Sequence, residues 1–333
     1  MEANKQEIKV FVTRDIPDIG VDILRNEGFH VTVWKEDRPM KQSEVIEMSK
    51  QSNALLCTSA EKIDHFFLHE CSHLDIISQF AAGYDNIDIA EATKLHIPIG
   101  FTPDAMSEAT ADIAFGLMIA TSRKMFYMHK TIQKGEWGYF RPKANLGIEL
   151  RNKTLGIFGL GRIGMAMAKR CQGAYDMEII YYNRKRNEFA EQLFGARWVS
   201  FDELLQQSDV LSVHASLSAE TKGIFNQTAF AKMKKTAIFI NTSRGSVHNE
   251  YDLIDALRNK IIWGAGLDVT NPEPMKPDNP LLAMENVCIL PHIGSATVEA
   301  RNKMATLAAE NIIGYYKHHQ VPHIVNPQSL KNK

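Results

Sequence analysis

The chain has 333 residues, 44% of them hydrophobic and 23% charged, with 38 Lys and Arg against 39 Asp and Glu for a net charge of −1. These are globular proportions at a length that suits two domains; they exclude a disordered or fibrous chain and the basic footprint of a nucleic-acid binder. No run reaches the roughly 20 apolar residues of a membrane helix, the start MEANKQEIKV has no apolar signal core, and Cys57, Cys71, Cys171 and Cys288 are scattered without a CxxC pair, so a reduced, cytoplasmic protein is expected.

Short apolar runs rich in β-branched residues predict strands at 8–13, 30–34, 54–58, 74–78 and 97–101, with amphipathic helices at 17–26 and 43–51 between them. A helical pattern then runs unbroken over 107–134, with Ser107 as N-cap and Gly135 as stop. After Leu150 the rhythm restarts, with strands at 154–158, 178–182, 210–214, 236–241, 261–268 and 286–290, and helices that include 162–172 and 250–258. A last helix spans 296–317. Near-continuous apolar strands alternating with helices predict an α/β chain of two doubly wound parallel sheets.

The segment Thr154 to Gly164 reads as a strand that runs into GxGxxG at Gly159, Gly161 and Gly164 and then into a helix opening at Arg162 and Ile163. The first glycine allows the tight turn, the second lets backbone approach a pyrophosphate, and the third lets helix and strand pack closely. The helix N-terminus adds N–H groups and a positive dipole end for the anion. The next strand ends at Tyr182, followed by Asn183, Arg184, Lys185 and Arg186, with no acid before Glu188. An NAD site places a carboxylate there for the ribose 2′-hydroxyl, whereas arginines grip a 2′-phosphate, so NADP(H) is favoured and NAD(H) remains open. The alternative is a solvated basic loop.

Three later segments each follow a predicted strand: Asn241 to Gly245, Gly266 to Val269 followed by Glu273, and Pro291 to Ser295. Ligands bind at the carboxyl ends of strands in open parallel sheets. There Arg244 suits a carboxylate and a polarised carbonyl, His292 suits proton donation as hydride arrives, and Glu273 would hold the imidazole protonated. The bland alternatives are a surface arginine, a rigid proline loop around Glu273, a structural histidine, and Asp268 as a turn cap.

On these residues, together with Ala82 to Asp88 and Pro272-Glu273-Pro274, the chain resembles the D-isomer-specific 2-hydroxyacid dehydrogenase family over nearly its whole length, most of all the glyoxylate/hydroxypyruvate reductases. The resemblance implies a flavodoxin-like substrate domain, 1–106 plus 297–333, and an inserted Rossmann NAD(P) domain, 107–296, with the active site in the cleft between them. It implies that Arg244, Glu273 and His292 are catalytic and that Ala82 and Gly83 help Arg244 and His292 hold the substrate. It also implies that Ser216, Thr242, Asp268, His292, Gly294 and the 183–186 loop line the cofactor, and that the protein is a homodimer. His248-Asn249 departs from the family's aliphatic-Asp pair, and a change confined to a surface turn is expected.

Other features carry weaker readings. His65, His69 and His73 recur every four residues beside Cys71, but no acid completes a metal set, so a solvated helix face is expected and no metal. Trp137, Tyr139 and Phe140 serve either as a core anchor or as an interface; in related reductases a Trp from this region reaches the partner's active site, which makes Trp137 the candidate. Lys232 to Lys235 marks a helix C-terminus. The function expected is NADPH-dependent reduction of glyoxylate or hydroxypyruvate, with neither nucleic acid nor membrane as partner. Reduction of 2-keto-gluconate on the same scaffold, or dinucleotide sensing without catalysis, stays open.

Overall fold

The computed structural model describes residues 7–330; the ends of the expected substrate domain, 1–6 and 331–333, lie outside the described residues, as does most of the polar start. The chain divides into two compact units, Met1–Met106 with Ala296–Lys333, and Ser107–Ser295. The second boundary falls at Ala296 rather than 297.

The first unit alternates β1 (Lys9–Val12), α1 (Asp18–Asn26), β2 (His30–Val33), α2 (Gln42–Ser49), β3 (Ala54–Cys57), α3 (His65–Glu70), β4 (Ile76–Gln79), α4 (Ile89–Lys94) and β5 (Ile99–Gly100). Its strands are all parallel in the order β2-β1-β3-β4-β5, the flavodoxin-like arrangement. Strands β3 and β4 are buried throughout, because helices cover both faces.

The second unit opens with α5 (Ser107–Ser122) and α6 (Met125–Gln133), where one unbroken helix was expected. Lys124 breaks it, in the left-handed conformation at φ 54. Its side chain is drawn inward to Glu285 at 3.0 Å and over the Trp263 ring at 5.2 Å, a tertiary pull absent from the local pattern. There follow β6 (Thr154–Phe158), α7 (Arg162–Tyr175), β7 (Glu178–Tyr182), α8 (Glu188–Phe194), β8 (Arg197–Trp198), α9 (Phe201–Gln207), β9 (Val210–Val213), α10 (Gln227–Lys232), β10 (Ile238–Asn241), α11 (Glu250–Arg258), β11 (Gly264–Leu267) and β12 (Val287–Ile289).

These seven strands are parallel in the order β12-β11-β10-β9-β6-β7-β8, the Rossmann sequence with its switch between β6 and β9. The two-residue β8 has no counterpart among the predicted strands, since its residues are exposed and too few to show a pattern. The basic cluster after Phe230 is partly neutralised: Lys232, in the last turn of α10, pairs with Asp202 at 2.7 Å and Lys234 with Asp209 at 3.0 Å. The chain returns to the first unit through α12 (Val298–His318), capped by Thr297, whose hydroxyl oxygen accepts from the Ala300 N–H at 3.1 Å. Among the described residues no helix is long and apolar enough to cross a membrane, and the four cysteines are buried and unpaired.

Candidate active site

Loops after β6, β7, β10, β11 and β12 bring most of the predicted residues of the second unit to the carboxyl edge of its sheet. At the switch point Gly159 takes φ +98, and an added Cβ would lie 2.6 Å from the Ala215 backbone nitrogen, so only glycine lets the turns after β6 and β9 meet. Gly164 packs α7 onto the strand, where a Cβ would lie 2.7 Å from the Gly159 carbonyl oxygen. A Cβ on Gly161, the residue before α7, would meet nothing within 4 Å. Tight behind and open in front, this cradle at the N-terminus of a 14-residue helix fits a dinucleotide pyrophosphate. Arg162 is exposed and Ile163 half-buried beside it.

The loop after β7 divides into braces and exposed cations. The Asn183 side chain accepts from the Leu160 N–H at 2.7 Å, so it holds the glycine turn, and its carbonyl accepts from the Trp198 indole at 3.1 Å. Arg186 is gripped by Glu191, with Nη2 to Oε2 at 2.8 Å, and the same carboxylate accepts from the Tyr181 hydroxyl at 2.7 Å. Arg184 and Lys185 are exposed. Glu191, eight residues beyond Asn183, carries no signal in the sequence that marks it as Arg186's partner. Ser216 is exposed after β9, and Thr242, buried after β10, reaches His214 Nδ1 at 3.5 Å.

Arg244 ends an extended stretch before a single turn of 3-10 helix, Gly245–Val247. Asn241 sets this corner: its Nδ2 donates to the Arg244 carbonyl at 2.9 Å, and its Oδ1 accepts from the Ser243 N–H at 3.0 Å. A Cβ on Gly245 would lie 1.9 Å from the Thr270 carbonyl oxygen, which ties the Arg244 corner to the loop carrying Glu273. His248, expected in a surface turn, is 1% exposed. Its Nδ1 accepts from Asn241 Nδ2 at 3.0 Å, so the departure from the family pattern lies inside the corner and braces it. Asn249 caps α11, accepting from the Tyr251 N–H at 3.0 Å.

His292 holds φ 54, and its Nδ1 lies 2.5 Å from Glu273 Oε1. Each side chain of the pair keeps 41% exposure, and Nδ1 is the ring nitrogen that meets Glu273. Asp268, 1% exposed, accepts from the backbone N–H of Ile293 at 2.8 Å and of Gly294 at 2.7 Å. Both carboxylate oxygens of Asp268 are thus spent on the His292 loop, which agrees with the turn-cap alternative. Thr110 secures the loop from α5, donating to the Gly294 carbonyl at 3.1 Å; nothing near Thr110 in the sequence points to that contact, 184 residues away. A cavity of about 420 Å³ is lined by Asp268, Glu273, Met275, Leu290 and His292.

The Glu273 hydrogen bond holds the His292 imidazole above its ordinary range, against partial burial and the nearby Arg244 charge. Burial pushes the Glu273 carboxyl up, but the His292 hydrogen bond and charge outweigh it and leave the carboxyl below its ordinary range. Burial raises the Asp268 carboxyl, opposed by its two backbone hydrogen bonds. Removing the carboxylate charge in Glu273→Gln is expected to lower the His292 pKa, read from the imidazole C–H shifts in an NMR titration. An unmoved His292 titration would show that the pair is not coupled in solution.

In the first unit Ala82 and Gly83 follow β4 at the carboxyl edge of its sheet, both half-buried. Gln79 braces them, its Nε2 donating to the Gly83 carbonyl at 3.2 Å and to Asn86 Oδ1 at 2.8 Å. Trp137, Tyr139 and Phe140 are 77%, 80% and 87% exposed, so the core-anchor reading fails. They follow α6, in which no residue is fully buried.

A glycine cradle at the switch point of a Rossmann sheet, with a charged His–Glu pair at the carboxyl edge of that sheet, marks an oxidoreductase of the nicotinamide-dinucleotide kind. Residues 115–294 match the family model described as D-isomer specific 2-hydroxyacid dehydrogenase, NAD binding domain, and the chain belongs to that family. It is 42% identical to a glyoxylate reductase of Thermococcus litoralis over 326 residues, 97% of this chain and 98% of the relative. With a glyoxylate reductase of Korarchaeum cryptofilum it shares 40% identity over 324 residues, 97% of each chain. Among solved structures, the NADPH-dependent glyoxylate/hydroxypyruvate reductase of Sinorhizobium meliloti, in complex with NADP and malonate, superposes with TM-score 0.85 at 28% identity, covering 97% of this chain and 98% of that one.

Proposed function

We propose that this protein is an NADPH-dependent reductase of small 2-oxo acids, taking glyoxylate to glycolate and hydroxypyruvate to D-glycerate. The observation that carries the reading is the His292–Glu273 pair at 2.5 Å, held on the same sheet edge as Arg244 and the glycine cradle. Bound reduced nicotinamide supplies the hydride for the carbonyl carbon. Arg244 binds the substrate carboxylate in a two-pronged grip and draws electron density from the carbonyl. His292 Nε2 gives its proton to the carbonyl oxygen, and Glu273 on Nδ1 fixes the ring and stabilises its charged form. Ala82 and Gly83 remain in this reading as further carboxylate contacts. The names of the relatives support the substrate class.

Arg184 and Lys185 are the groups proposed for the 2′-phosphate, because Arg186 is already spent on Glu191. A charge-assisted hydrogen bond of about 1.5–3 kcal/mol corresponds to roughly a 10- to 150-fold change. Arg184→Ala is therefore expected to raise KM for NADPH by that factor and to leave KM for NADH nearly unchanged. The assay follows loss of reduced-cofactor absorbance with glyoxylate, hydroxypyruvate and 2-keto-gluconate in turn. An unchanged KM for both cofactors would show that the loop is a solvated bystander, and equal losses would move the contact from the 2′-phosphate to a group both cofactors share. Turnover of the sugar acid alone would replace the substrate and keep the mechanism, and no turnover of any pair would overturn the reading.

A further inference from the structure

The histidine repeat near residue 65 is not used by the reaction, and the fold changes its meaning. Helix α3 ends at Glu70, so His73 lies beyond it and its Nε2 turns away to the carbonyls of Ser49 and Ser52, at 3.1 and 3.2 Å. His65 and His69 stay together one turn apart, with ring centroids 4.2 Å from one another. The acid that the local sequence lacks arrives from α4: Glu91 Oε1 lies 3.0 Å from His69 Nε2 and 3.7 Å from His65 Nδ1. Among the described residues this is the one group of three His, Cys, Asp or Glu donors close enough to share an ion, with all donor atoms within 4.8 Å of one another.

We propose that His65, His69 and Glu91 bind a divalent transition-metal ion of zinc-like chemistry, clamping α3 to α4 in the first unit. Two imidazole nitrogens and one carboxylate oxygen form a three-ligand set that leaves a fourth position for water. A tetrahedral ion with bonds of about 2.0–2.1 Å places its donors about 3.3 Å apart. That spacing falls between the two Glu91–imidazole distances, and the two imidazole nitrogens lie within 4.8 Å of one another, so rotation of the exposed histidines completes the set.

The carboxylate is arranged in advance. Glu91 keeps only 12% side-chain exposure; its N–H is capped by Asp88 Oδ1 at 3.0 Å, and its Oε2 is held by Lys94 at 2.7 Å. The same lysine is the main opposition, as a like charge near the ion. Its side chain is 70% exposed and free to swing into solvent, and the ion needs only Oε1. The imidazoles at 67% and 50% exposure leave the entry path open.

The test is calorimetric titration of the full chain with zinc chloride at a pH where imidazole is neutral, repeated on His65→Ala and His69→Ala. Both positions are exposed, outside the proposed catalytic machinery, so fold and reductase activity should persist. One saturable ion per chain is expected, weakened at least about ten-fold in each variant, with zinc-edge anomalous density between the three side chains. Unchanged affinity and stoichiometry in both variants, which would move the ion to another site such as His292, overturns the proposal. So does the absence of saturable binding.

Discussion

Replacing His292 with alanine is expected to lower kcat for 2-oxo acid reduction by about 10²- to 10⁴-fold, the contribution typical of a positioned general acid. Kd for NADPH should change little, because the cradle at Gly159, Gly161 and Gly164 rests on contacts that His292 does not make. Relief of charge near Glu273 is not expected to mask the loss, since the carboxylate is an acceptor and has no proton to give. His292 sits at φ 54, where alanine is disfavoured by about 1 kcal/mol, too little to unfold the unit. Cofactor binding by fluorescence titration and single-turnover rates separate the two effects. A variant that turns over at the native rate would remove His292 from the chemistry.

The second large effect is expected at a residue that need not touch substrate. Asp268→Ala strips the acceptors from the Ile293 and Gly294 N–H groups, and Gly294 is buried. An unsatisfied buried donor costs about 1–3 kcal/mol, so a loss of at least about 1–3 kcal/mol is expected from Gly294, with a smaller share from half-buried Ile293, read as a lower denaturation midpoint. Because the same bonds pin the His292 loop, kcat should fall as well, and the His292 titration should move back toward the ordinary imidazole range as the ring leaves Glu273. Stability loss with an unmoved His292 titration would make Asp268 a brace for the sheet edge alone. An unaltered midpoint would show that water replaces the carboxylate.

Much of this was readable in one dimension because the underlying physics is local. Apolar runs such as Ala54–Cys57 and Val210–Val213 are buried on both faces, and that requirement writes itself into consecutive residues. Gly164 is dictated by the Gly159 carbonyl five residues back and Gly159 by its φ of +98, local requirements that spacing reveals, while the approach of the Ala215 backbone is a contact across the sheet that spacing does not show. The Pro272-Glu273 and Pro291-His292 segments stand out by composition even before their partner is known.

What failed to show depends on contacts between distant positions. The break at Lys124 follows from Glu285 and Trp263, and the burial of His248 from Asn241 and the corner around Arg244. Arg184, Lys185 and Arg186 look equivalent as letters, yet Glu191 claims one of them. The histidine repeat looked like a solvated face because its acid, Glu91, lies on another helix.

The sequence by itself determined the class of fold, the two parallel sheets, the phosphate cradle and the identity of Arg244, Glu273 and His292 as candidates, since periodicity, glycine sterics and residue chemistry act over a few positions. Only the tertiary structure decided which further groups meet: Asp268 with the loop beyond it, Glu191 with Arg186, and Glu91 with two histidines. Hydrogen bonds and ion pairs act over about 3 Å of space, and chain order does not encode that distance until the sheets and helices have packed.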